Sequence, residues 1–99
     1  MDHYIGLDVS MKETSLCIVD EKGTIIYEST EVTDPHAIAK HIHRKDLTVQ
    51  KIGIESGAMS HWLVTGLQNL GLPAICLDAR QMSKVLSVNV NNASLLLTK

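Results

Sequence analysis

Tyr4-Ile5-Gly6-Leu7-Asp8-Val9 is an apolar run that reads as a buried strand, with a carboxylate near its end. Lys51-Ile52-Gly53-Ile54-Glu55 has the same character and again finishes on an acid. Between them, Ser15-Leu16-Cys17-Ile18-Val19 and Thr24-Ile25-Ile26-Tyr27-Glu28-Ser29 read as strands two and three, joined into a hairpin by Asp20-Glu21-Lys22-Gly23. Asp34-Pro35 opens a first helix, with Asp34 as N-cap and Pro35 as first helical residue. Ile38, Ala39 and Ile42 define its inner face, and Lys40, His41, Arg44 and Lys45 lie outside or toward its C-terminal end. Ser60 caps a second helix carrying Trp62, Leu63, Leu67 and Leu70, and Gly71 ends it. Pro73-Ala74-Ile75-Cys76-Leu77 is a short fifth strand, and Asp78 starts a last helix with Ala79, Met82, Val85 and Leu86 on one side. The order β-β-β-α-β-α-β-α predicts an α/β fold in which a hairpin is followed by right-handed βαβ units. The result is a mixed five-stranded sheet flanked by helices.

The 99 residues hold one domain, 44% hydrophobic and 20% charged, which excludes a disordered chain. Aromatics are few (Tyr4, Tyr27 and Trp62), so the core is aliphatic and a broad stacking surface for single-stranded nucleic acid is not expected. A net charge of −2 provides no global field for nucleic acid or an anionic membrane, so any such binding must be local. No apolar run is long enough to span a bilayer, and Met1-Asp2-His3-Tyr4 does not start like a signal peptide. Cys17 and Cys76 sit in apolar runs and read as two buried free thiols of a reducing cytoplasm.

Asp8 and Glu55 carry the chemistry of this reading. A carboxylate beside a buried strand is costly to hide. If strands one and four are parallel neighbours, the two acids meet across one gap at the strands' carboxyl ends, where open sheets gather ligands. Two close carboxylates repel unless a hard cation such as Mg²⁺ sits between them. The alternative is that both simply project into solvent. The smaller signals are weaker. Ser10 stabilises a turn or bonds a phosphate, and Asp78 with Arg80 is a helix start or a contact to metal or DNA. The basic face around Lys40 and Arg44 is a solvated surface or meets a phosphate backbone. His41 and His43, two apart, point to different sides of a helix and make poor joint ligands.

Tyr4-Ile5-Gly6-Leu7-Asp8-Val9-Ser10, with Lys12 and Thr14, resembles the opening of the DEDD-type insertion-sequence transposases, the "insertion sequence one-ten" family that includes pilin-gene invertases. The similarity continues through Ile54-Glu55-Ser56-Gly57, Trp62-Leu63, Leu67, Leu70-Gly71-Leu72-Pro73 and Leu77-Asp78-Ala79-Arg80. The resemblance implies an RNase H-like, RuvC-like domain over residues 1–88, with the first three strands antiparallel, and a divergent tail over 89–99. It implies that Asp8 and Glu55 are two of four acidic residues that bind Mg²⁺ or Mn²⁺ for catalysis on DNA. It also implies nucleic-acid contacts near Ser10, Lys12 and Arg80, and a structured guide RNA as a second partner. The family's last two acids are absent, since no Asp or Glu follows Asp78. Metal binding is therefore expected to be weak, and the chain is expected to be a truncated N-terminal domain that does not cut or join DNA alone. Two other readings compete. One is an ATP-binding domain of the actin and sugar-kinase type, which the glycine-free Val9-Ser10-Met11-Lys12 disfavours. The other is a non-catalytic remnant that self-associates through its leucine-rich end, Leu95-Leu96-Leu97.

Overall fold

In the computed structural model, which describes residues 2–55, 57–78 and 80, the chain runs β1 (Asp2–Val9), β2 (Glu13–Asp20), β3 (Ile25–Val32), α1 (Pro35–His43), β4 (Thr48–Glu55), α2 (Ser60–Asn69) and β5 (Ala74–Leu77). The five strands form one sheet in the order β3-β2-β1-β4-β5. β1, β2 and β3 are antiparallel neighbours, and β4 and β5 join β1 as parallel strands. The mixed five-stranded sheet and its helices are thus as the sequence predicts. The last helix beyond Arg80, the boundary at residue 88 and the tail 89–99 lie outside the described residues.

Strand parity sorts the side chains onto two faces. Ile5 and Leu7 of β1, Leu16 and Ile18 of β2, and Ile52 and Ile54 of β4 are all buried in one cluster with Ile38, Ala39 and Ile42 of α1 and Leu63 and Leu67 of α2. Each fully buried aliphatic side chain contributes about 1.5–3 kcal/mol, so this aliphatic layer is the main stabilising element. The opposite face carries a smaller cluster of Tyr4, Cys17, Val19 and Leu77. The central strands β1 and β4 therefore read as continuous apolar runs because they are covered on both sides.

Local chemistry fixes the connections. The Asp20 carboxylate accepts from the backbone N–H of Lys22 and of Thr24, both at 2.9 Å, and closes the β2–β3 turn. Asp34 caps α1 by accepting from Ala37 N–H at 2.9 Å, with Pro35 in the first turn and Lys40, His41 and His43 in the last. Gly71, at φ 84°, takes the left-handed conformation that ends α2.

Several expectations are corrected. Ser60 is the first residue of α2 rather than its cap: Met59 holds the cap position without a side-chain bond. The Ser60 hydroxyl instead donates to Gly57 C=O at 2.8 Å and accepts from Gly57 N–H at 3.1 Å. The sequence leaves the burial of Trp62 open; it is 49% exposed, because Leu63 and Leu67, four residues apart, take the core-facing stripe of α2. Cys17 is buried, but Cys76 lies exposed on the edge strand β5. β3 runs on to Val32, and β4 begins at Thr48, three residues before the apolar run. Among the described residues no helix is long and apolar enough to cross a membrane.

Candidate metal centre

β1 and β4 run side by side in the same direction, pairing Ile5 with Ile52, Gly6 with Gly53 and Leu7 with Ile54. Asp8 and Glu55 follow that last pair by one residue each. They therefore emerge on the face opposite α1 and α2, from strands that lie about 4.8 Å apart. Both side chains are exposed. Both line one solvent-open pocket of about 250 Å³, together with Ser10, Gly57, Met59 and Ser60.

The pocket's walls are held by backbone-directed bonds. Ser10 donates through Oγ to Glu13 C=O at 2.6 Å and through N–H to the same oxygen at 3.0 Å, which folds the β1–β2 turn. The buried Thr33 hydroxyl donates to Ser10 C=O at 2.7 Å. Its single proton is then committed, so the Thr14 hydroxyl is the donor in their 2.8 Å bond. This two-step chain ties the end of β3 to the turn that follows Asp8. On the Glu55 side, the Ser60–Gly57 bonds close the turn into α2.

Among the described residues neither Asp8 nor Glu55 is in an ion pair, and no lysine, arginine or histidine lines their pocket. The donors are hard oxygens, a set that suits Mg²⁺ or Mn²⁺ better than a soft metal. Two carboxylates fill only part of a six-ligand shell. Among the described residues no group of three or more acidic, histidine or cysteine side chains surrounds one point. Of the other residues singled out from the sequence, Ser10 is in the pocket wall, whereas Lys12 and Arg80, both exposed, are not among its lining residues.

A second polar cluster was not foreseen from the sequence. On the other side of the sheet's β3 edge, His41 of α1 donates from Nδ1 to Glu31 Oε1 at 2.8 Å and meets the Tyr27 hydroxyl through Nε2 at 3.0 Å. The Lys45 ammonium sits 3.5 Å from the centre of the Tyr27 ring. The bond to Glu31 raises the His41 pKa above its ordinary value, with Tyr27 adding to it. The bond from His41 lowers that of Glu31. Hydrogen bonds from Ser29, His41 and Lys45 bring the Tyr27 phenol down to about 8. His41 and Lys45 lie 10 to 18 residues from Glu31 and Tyr27, and the packing of α1 against β3 brings them together.

No protein-family model matches the chain, and no curated protein matches it in sequence. Its fold is shared with a solved structure, the large terminase nuclease from the thermophilic phage G20c, crystallised with bound cobalt. The two superpose with a TM-score of 0.63 over 92% of this chain at 10% sequence identity. The chain spans 55% of that nuclease's length. The fold is thus RNase H-like.

Proposed function

We propose that this chain supplies the first acidic half of a divalent-metal site for phosphodiester chemistry on DNA, in a recombinase of the DEDD-type insertion-sequence transposase class. The observation that carries the reading is the pair Asp8 and Glu55, set at the carboxyl ends of adjacent parallel strands and sharing one open pocket free of lining cations. A bound Mg²⁺ or Mn²⁺ would act as a Lewis acid on a phosphodiester oxygen. Asp8 and Glu55 would hold that ion, and the open pocket would leave its other positions to water, substrate oxygens or further protein ligands. Ser10 shapes the wall next to Asp8, and Lys12 and Arg80 offer cations for the strand being positioned. The RNase H-like nuclease fold supports this reading, as does the cobalt bound by the terminase nuclease. The ordered resemblance from Tyr4 to Arg80 supports the transposase class within this proposal.

Mn²⁺ titration followed by NMR tests the reading. The backbone signals around Asp8 and Glu55 are expected to broaden first, and Asp8→Asn with Glu55→Gln together should abolish that selective broadening. Broadening that is uniform over the surface, or that survives the double substitution, would overturn it.

A further inference from the structure

The face of the molecule opposite the carboxylates carries the groove between α1 and α2. His36, Lys40, His43 and Arg44 are spaced three and four residues apart along α1, so they form one stripe. All four are exposed, and together with Leu70, which follows α2, they line a groove of about 390 Å³. A second depression of about 280 Å³ adjoins it, sharing His36 and Leu70 and adding Trp62 and Gly66 of α2. The stripe from His36 to Arg44 extends roughly 12 Å along the helix. Among the described residues one acid, Asp34, lines the combined groove, and its carboxylate is engaged in capping α1.

Trp62 is the chain's sole tryptophan, and it is half exposed beside this stripe in a protein whose net charge is negative. A core position would hide the indole, and a generic solvated helix face would mix acids among its cations. A half-exposed indole beside the cations Lys40 and Arg44 suits an unpaired base attached to phosphates. We infer that the α1–α2 groove binds a short single-stranded stretch of nucleic acid, with one base stacked on Trp62 and the adjoining phosphates on Lys40 and Arg44. The scarcity of aromatics limits the platform to one base. This site lies across the sheet from Asp8 and Glu55 and needs no metal.

The test uses the full chain in EDTA, so that a divalent-ion site plays no part, and reads the intrinsic fluorescence of Trp62. Short oligothymidylate and oligouridylate are titrated separately, beside a duplex of equal length and inorganic polyphosphate. Quenching by either single strand, and not by polyphosphate, is expected, and the tighter of the two identifies the sugar preferred. Binding of a labelled oligonucleotide, read by anisotropy, should weaken roughly five- to a hundredfold in Trp62→Leu. Two phosphate contacts predict a slope of log affinity against log salt of about −1.4, falling toward zero in Lys40→Gln with Arg44→Gln. Lys22→Glu, on the distant β2–β3 turn, should leave affinity unchanged. No quenching by either strand, equal response to polyphosphate or duplex, or full affinity in the Lys40–Arg44 variant would each overturn the inference.

Discussion

Replacing Gly66 by alanine separates what helix propensity says from what the packing says. Gly66 lies inside α2, where alanine in place of glycine ordinarily adds about 1 kcal/mol to stability. A Cβ at this position would stand 2.6 Å from Cγ and 2.8 Å from Cβ of Pro35. The shorter distance is about 0.8 Å inside the onset of ordinary van der Waals contact. Pro35 cannot swing aside, because its ring is closed on the backbone and the Asp34 cap fixes the start of α1. Relief requires α1 and α2 to part, which loosens Ile38 and Ala39 against Leu63 and Leu67. Overpacking of this kind costs about 1–3 kcal/mol, so the net change after the propensity gain is a loss of up to about 2 kcal/mol. In a domain stabilised by about 5–15 kcal/mol that is a large fraction. Urea unfolding should show a lower midpoint at unchanged slope. A Gly66→Ala protein more stable than wild type would refute the close approach of the two helices.

Two further outcomes follow from the polar clusters. His41 has a raised pKa, so the stability it contributes is complete below its ordinary value of 6.5 and is lost as pH rises through the elevated folded value. Glu31 has a lowered pKa, so its share is complete above 4.5 and is lost as pH falls through the depressed folded value. The stability gap between wild type and His41→Gln, measured by urea midpoints, should therefore be widest between pH 4.5 and 6.5 and narrow on both sides. A gap independent of pH would refute the Glu31–His41 pairing. Thr33→Val removes the donor to Ser10 C=O and leaves the Thr14 hydroxyl buried without its acceptor, at a cost of about 1–3 kcal/mol. Thr14→Val combined with Thr33→Val should cost less than Thr33→Val alone, and equal or greater loss would remove the hydroxyl chain from the account.

What could be read from the sequence was whatever local pattern decides. The apolar runs around Leu7 and Ile54 announce strands buried on both faces, and Asp34-Pro35 announces a helix start by capping chemistry alone. Strand ends were harder to read. Thr48 and Val49 belong to β4 because they pair with Asp2 and His3 of β1, with Gln50 in the bulge that follows, and Thr30-Glu31-Val32 belong to β3 because they pair with β2; such backbone pairing leaves side chains free to be polar. Ser60 has a cap residue's chemistry but spends its hydroxyl on the preceding turn, a choice that depends on where Gly57 lies. The Tyr27–His41–Glu31 cluster was invisible because helix packing, not spacing in the chain, assembles it.

The candidate centre and the core depend on the same register. Leu7 and Ile54 face the helices because Asp8 and Glu55 face away from them, and one residue separates each pair. A strand offers only two faces, so a slip of one residue in β4 against β1 would drive Glu55 toward the aliphatic layer and expel Ile54 from it. Burying an unpaired carboxylate and losing a buried isoleucine both oppose that slip. The aliphatic layer thus holds the two carboxylates on one side of the sheet with no bond between them. Loss of Leu7 or Ile54 packing should accordingly disturb metal affinity even though neither residue lines the pocket, because the core sets where the carboxylates stand.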